Sequence, residues 1–176
     1  APIDDGTTGT STTGPGEGES SSDETGGDES TSGGETFPCE APTTCTGSET
    51  LGGVSGDSAT APLTETGTEP VWLQVQVSEN DSGIFANDLS VTLSLQSSGG
   101  DWDIKAFLGG PGDTNGCGGE EQRSETGGVD TVSYSWGESG TLANNVDDST
   151  FVAVEIFPKE GVCAAGSSWT LTVAGN

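Results

Sequence analysis

Leu89-Ser90-Val91-Thr92-Leu93-Ser94-Leu95 places an apolar side chain at every second position and a small hydroxyl between each pair. A period of two puts Leu89, Val91, Leu93 and Leu95 on one face of a β-strand and Ser90, Thr92 and Ser94 on the other, so the stretch reads as a half-buried strand. The same spacing recurs on both sides of it. It is found in Val71, Leu73, Val75 and Val77, in Trp102, Ile104, Ala106 and Leu108, and in Val132, Tyr134 and Trp136. It returns in Val152, Val154 and Ile156 and in Trp169, Leu171 and Val173, and a shorter run from Leu51 to Val54 adds a candidate edge strand. Turn-forming clusters such as Glu79-Asn80-Asp81-Ser82-Gly83 and Ser97-Ser98-Gly99-Gly100 separate the runs. Helical periodicity is absent, and Gly or Pro interrupts almost every window long enough for a helix. The expected fold is all-β, an antiparallel β-sandwich of about seven to eight strands with one core between its sheets.

Upstream the pattern vanishes. Residues 1–36 hold nine Gly, fourteen Ser or Thr and nine Asp or Glu, which leaves too little apolar surface to offset backbone entropy. This acidic Ser/Thr/Gly-rich segment is expected to be a flexible arm or linker, residues 37–49 a disulfide-looped connector, and residues 50–176 the sandwich domain. The density of hydroxyls at Thr7, Thr8, Thr10, Ser11, Thr12 and Thr13 and at Ser20, Ser21 and Ser22 also resembles an O-glycosylated stalk. Asn80-Asp81-Ser82 fits the N-glycosylation acceptor pattern in an expected turn, making Asn80 a further candidate.

The chain begins at Ala1 without Met and contains no apolar run near the ~18 residues needed to cross a bilayer, so a processed, exported protein with no membrane insertion is expected. Four cysteines in a chain with no His then read as two disulfides rather than a zinc site. The short spacing favours Cys39 with Cys45 as a tight local loop, with Cys117 and Cys163 joining two distant loops.

A net charge of −26, with Lys105, Arg123 and Lys159 as the only cations, removes the electrostatic term on which nucleic-acid binding depends. The absence of His also removes the base from Ser-His-Asp and Cys-His arrangements. A Ser-Lys dyad would have to use Lys105, at an outward strand position, or Lys159, in a turn after Pro158. Paired carboxylates for glycoside hydrolysis could come from Asp101, Asp103, Glu155 and Asp147-Asp148, but such chemistry wants an aromatic-lined cleft, and Trp102, Tyr134, Trp136 and Trp169 fall on core-facing positions. No enzyme is expected. Trp72 is ambiguous by one register and is read as covering a sheet edge or a subunit contact.

Leu51-Gly52-Gly53-Val54-Ser55-Gly56-Asp57, Trp72-Leu73-Gln74-Val75-Gln76-Val77, the run Leu89 to Leu95, Asp101-Trp102-Asp103-Ile104-Lys105-Ala106-Phe107-Leu108 and the closing Trp169-Thr170-Leu171-Thr172-Val173 together resemble a bacterial pre-peptidase C-terminal domain, over roughly residues 48–176. That resemblance implies a jelly-roll-like β-sandwich of an exported bacterial protein, with a binding or targeting role. It also permits Ca2+, for which carboxylates in loops are the natural ligands. The candidates are Asp101 and Asp103 at the start of a strand, Asp113 in Pro111-Gly112-Asp113-Thr114-Asn115, and Asp147 with Asp148. None forms an Asp-x-Asp-x-Asp-Gly loop, and the competing expectation is that these residues cap strands and turns. The arm is similar to spacers of myxobacterial surface proteins.

Two functions are expected from these features. The first is a non-catalytic, secreted cell-surface structural protein that self-associates, for instance as a filament subunit. The second is a calcium-assisted module that binds a protein or polysaccharide.

Overall fold

The computed structural model describes residues 36–41, 43–80, 88–110, 112–137 and 146–176. The chain divides into Ala1–Ser32, which lies outside the described residues together with every O-glycosylation candidate, and a compact unit, Gly33–Asn176. Along that unit run β1 (Thr36–Pro38), β2 (Glu49–Ser55), β3 (Leu63–Gly67), β4 (Val71–Ser78), β5 (Asp88–Ser98) and β6 (Trp102–Leu108). They are followed by β7 (Glu120–Ser124), β8 (Val129–Gly137), β9 (Thr150–Pro158), β10 (Val162–Ala164) and β11 (Ser168–Gly175). Short 3-10 turns sit at Cys45–Gly47 and Lys159–Gly161, and the described residues contain no α-helix.

Two sheets form the sandwich, one ordered β2-β4-β9-β6-β7 and the other β3-β11-β5-β8, while β1 and β10 make a separate two-stranded ribbon. The alternating runs of the sequence become β4, β5, β6, β8, β9 and β11, and Leu51 to Val54 lies in the edge strand β2. The pairing is antiparallel except between β2 and β4, which run parallel. Strands β3 and β7 escape the alternation because their side chains are mostly polar: β7, Glu-Glu-Gln-Arg-Ser, is carried by its ladder to β6 rather than by an apolar face.

The core lies where the apolar faces meet. Leu73, Val75, Val77, Ile104, Ala106, Val152, Val154 and Ile156 come from the five-stranded sheet, and Val91, Leu93, Leu95, Val132, Tyr134, Leu171 and Val173 from the four-stranded one, all buried. Each fully buried Leu, Ile or Val contributes about 1.5–3 kcal/mol relative to exposure, so these two faces supply the main driving force. Trp136, expected in the core, is only partly buried at its edge because its indole Nε1 donates to the Asp148 carbonyl at 2.9 Å. The sheets are joined at Gly56, whose N–H donates to Ser78 O at 2.9 Å and whose carbonyl accepts from Ser90 N at 2.7 Å. A Cβ there would lie 2.9 Å from Leu89 Cβ, so only glycine fits this corner.

Tyr134 anchors the polar strand β7 to the core. Its hydroxyl donates towards Ala106 O (2.6 Å) and Glu120 O (3.0 Å) and accepts from Gln122 N at 3.1 Å. Burial pushes the phenol pKa up to about 12, so it remains a donor at any physiological pH. Tyr134→Phe strips three polar neighbours of their shared partner, and urea unfolding is expected to show a loss of about 1–3 kcal/mol with the fold retained.

The disulfides correct the expected pairing. They join Cys39 to Cys163 and Cys45 to Cys117, with Cα–Cα distances of 5.4 and 5.7 Å. The β1–β10 ladder decides the first, since it pairs Phe37 with Cys163 and continues into a bond from Cys39 N to Gly161 O at 3.1 Å. The loop between β6 and β7 decides the second: Gln74 Nε2 on β4 holds Thr114 O at 2.9 Å, and Asn115 Oδ1 receives Cys117 N at 3.0 Å, which brings Cys117 to the turn at Cys45. Instead of closing on itself, the segment 39–45 becomes a strap pinned at both ends. Bonds spanning 124 and 72 residues each restrict the unfolded chain by roughly 4–5 kcal/mol in the chain-entropy treatment. Mass mapping of unreduced peptides, cut at Asp and Glu, is expected to yield Cys39–Cys163 and Cys45–Cys117 and no Cys39–Cys45 loop.

Candidate functional site

The outer face of the five-stranded sheet carries the site. Register places Trp72 opposite Glu155, Glu155 opposite Lys105, and Lys105 opposite Arg123, so one position on each of β4, β9, β6 and β7 forms a row. Alternation sends this row outward because Leu73, Val154, Ile156, Ile104 and Ala106 beside it point into the core. Phe157 and Phe107, two positions along their strands from Glu155 and Lys105, share that outer face.

These side chains form one cluster. The Trp72 and Phe107 rings stack with centroids 5.8 Å apart at an interplanar angle of 24°. Lys105 Nζ lies 5.6 Å from the centroid of each and 6.0 Å from that of Phe157, and it forms an ion pair with Glu155 Oε2. Lys and Glu side chains are about one-fifth exposed, so the pair is poorly screened by water and the aromatic faces add cation–π attraction. At the end of the row Arg123 reaches Glu125 at 3.0 Å and Glu121 at 3.6 Å.

Above the cluster a groove of about 540 Å³ runs between the sheet and the strap. Trp72, Lys105, Glu155 and Phe157 form its floor, while Glu40, Ala41, Thr43 and Thr44 of the strap supply one wall. Glu160 and Gly161 also line it. Glu160 is the one described residue other than glycine with positive φ (62°), a left-handed conformation that costs a non-glycine residue of order 1 kcal/mol and is characteristic of constrained functional loops. Two of the three cations in the whole chain thus stand in one groove.

Both lysines weighed for catalysis are held in ion pairs. Lys105 and Glu155 hold each other, and Lys159 Nζ holds Asp101 Oδ2 at 2.9 Å. The candidate calcium ligands do not converge. Asp113 Oδ1 accepts from Asn115 N at 3.1 Å and Asp147 Oδ1 from Ser149 N at 2.9 Å, each closing its own turn, and the Ser149 hydroxyl, with that backbone bond second, lowers the Asp147 pKa. Asp148 N donates to Glu79 Oε2 at 2.7 Å. Among the described residues no group of three or more His, Cys, Asp or Glu is arranged to hold a metal ion. Asn80 is described, with its N–H on Asp57 Oδ2 at 3.1 Å, whereas Asp81 and Ser82 of its acceptor pattern lie outside the described residues.

Asp103, on the outer face beside Phe157, is buried, with Oδ1 lacking a hydrogen-bond partner. Desolvation, helped by the negative charges of Asp101, Asp130 and Glu125, raises its pKa from 3.8 to about 6. Asp130, buried on the inner face, instead accepts from Ser124 Oγ, Thr126 N and Thr126 Oγ1 at 2.6, 2.6 and 2.9 Å and so shapes the turn between β7 and β8.

No protein-family model matches the chain, and no curated protein matches it. Among solved structures, a chain from the cryo-EM structure of Broad Bean Stain Virus aligns at 13% identity over 53% of this chain and 57% of its own length, with a TM-score of 0.32. Aeromonas hydrophila PliG, a periplasmic inhibitor of g-type lysozyme, aligns at 12% identity over 72% of this chain and 98% of its own, with a TM-score of 0.30. A structure described as "CBM4 structure and function" aligns at 14% identity over 60% and 78%, with a TM-score of 0.28. Scores this low carry nothing across to this chain. No helix among the described residues is long and apolar enough to cross a membrane.

The sequence reading missed Trp72, Phe107, Phe157 and Arg123 as a group. The signal was parity: Phe107 sits between Ala106 and Leu108, and Phe157 follows Ile156, so both rings occupy outward positions that other strands give to Ser, Thr and Gln.

The elevated Asp103 pKa fixes a pH dependence. Between about pH 3.8 and 6 the folded chain keeps a proton that the unfolded chain releases, so this group's contribution to stability falls as pH rises through that window and is level above it. Asp103→Asn removes the ionisation. Urea unfolding should find the variant more stable than the parent by about 1–3 kcal/mol at pH 7.5, with the gap closing towards pH 4.

Proposed function

We propose that this chain is a non-catalytic, exported binding module that holds an extracellular ligand in the groove over its five-stranded sheet, at the bacterial cell surface or beyond it. The observation that carries this reading is the Trp72–Phe107–Phe157 cluster around the Lys105–Glu155 pair, walled by a doubly cross-linked strap. Large rings at outward positions forfeit hydrophobic stabilisation unless something covers them, and a concave, mostly apolar lining with a few fixed polar groups is the general form of a binding site. The paired state of Lys105 and Lys159 supports binding without catalysis, because neither amine is free to act as a base. Two disulfides fit an oxidising, extracytoplasmic setting.

The resemblance to pre-peptidase C-terminal domains points the same way, and calcium would be an accessory to binding rather than a reactant. Residues 1–36 would then serve as a spacer, as their composition suggests. The alternative of a self-associating surface subunit rests on that same arm, nearly all of which lies outside the described residues.

Pull-down with washed, insoluble extracellular polymers (cellulose, chitin, peptidoglycan and fibrillar collagen) tests the proposal. The parent protein is expected to bind at least one and to release no soluble fragments on prolonged incubation. Trp72→Ala should weaken that binding about tenfold or more while the melting temperature stays near the parent value. Release of fragments, or undiminished binding by folded Trp72→Ala, would contradict it.

A further inference from the structure

We infer that the ligand of this groove is an uncharged glycan chain, an inference that rests on the binding role proposed above. The groove floor is built from β4, β9 and β6, the three central strands of their sheet. Their backbone N–H and C=O groups are spent in ladders on both sides, so an extended peptide has no edge to join along the floor, and among the described residues the edge strand β7 reaches the groove through Arg123 alone. Recognition falls to side chains alone.

Those side chains offer ring faces and charges that are already compensated. Glu155 neutralises Lys105, and Glu121 and Glu125 neutralise Arg123, leaving a ligand's net charge no opposite charge to meet on the floor. A polyanion would also approach against the field of a chain with net charge −26, which Glu40 and Glu160 at the groove reinforce. A polycation would be attracted to this surface everywhere and has no need of the groove.

A neutral sugar matches what remains. A pyranose presents an apolar C–H face that stacks on an aromatic ring, and around it a rim of hydroxyls that both donate and accept. Trp72 and Phe157 suit the first; the carboxylates of Glu155, Glu40 and Glu160 and the guanidinium of Arg123 suit the second through charge-assisted hydrogen bonds. Arg123, with its side chain about half exposed and lying at the end of the row, is positioned to fork across two neighbouring hydroxyls. A groove of about 540 Å³ has room for several sugar units.

The test is affinity electrophoresis of the full chain in gels cast with barley β-glucan, galactomannan or starch, and with alginate or polygalacturonate as polyanions. Calorimetry with a proline-rich peptide and with polylysine completes the set. At least one neutral glycan should retard the parent protein, equally at about 50 and about 500 mM NaCl, because no net charge is being neutralised. Trp72→Ala should abolish the retardation and Arg123→Ala should weaken it about tenfold. Arg123, being half exposed, keeps the test open should Trp72→Ala fail to fold. Binding only to a polyanion, the proline-rich peptide or polylysine, still dependent on Trp72, would overturn the glycan assignment and leave the binding groove standing. Binding of any probe unaltered in folded Trp72→Ala, or no binding to any probe, would overturn both.

Discussion

Covalent anchoring of the strap at both ends, to β10 and to the loop between β6 and β7, is the constraint on which the site depends. The described strap residues 39–41 and 43–45 contribute no side chain to the buried core, and without a bond at each end nothing in their composition would hold them over Trp72 and Phe157. Cys39–Cys163 fixes the end that enters from the β1–β10 ribbon, and Cys45–Cys117 fixes the end that enters β2. The core beneath needs neither bond to choose its register, because the alternation in β4, β5, β6, β9 and β11 already separates the buried face from the wet one. The disulfides therefore serve two levels of the structure. They restrict the unfolded chain, and they convert a flat outer face into a groove.

The groove reverses the usual economy of a sandwich. Outer faces are normally polar, as in β5 and β8, where Thr92 and Ser133 hydrogen-bond across the ladder at 3.1 Å. On the opposite sheet the equivalent positions hold Trp72, Phe107 and Phe157, stabilised in the unliganded chain by mutual stacking and by Lys105. Removing Glu155 would leave Lys105 mostly buried and without its ion-pair partner, which is the physical reason for an acid opposite the lysine in the register. In a chain with so few cations, spending two of them here keeps the floor near neutral within an acidic surface.

Most of the fold was legible in the sequence because period-two alternation is a local property. All six long runs became strands, and the same rule put Trp102, Tyr134 and Trp169 in the core. What escaped was non-local. The parallel β2–β4 pairing, the polar strand β7 and the disulfide partners all follow from which segments meet in space, and a six-residue spacing between Cys39 and Cys45 looked like a loop only because the β1–β10 ladder is invisible in one dimension. The site was half legible: the outward placement of Lys105 was clear, but its partners became a cluster only when β4, β9, β6 and β7 were laid side by side. Trp72 shows the difference. Its register was ambiguous alone, and its pairing with Glu155 resolves it.

The four tryptophans provide the most direct measurement, since each has a distinct setting: Trp102 and Trp169 are buried in the core, Trp136 lies at its edge, and Trp72 stands in the groove. In a 1H–15N correlation spectrum their indole signals report separately. On addition of a bound neutral glycan the account predicts that the Trp72 indole shifts while those of Trp102 and Trp169 stay in place. A bound ligand that leaves Trp72 unmoved, or that moves the core indoles instead, would contradict it.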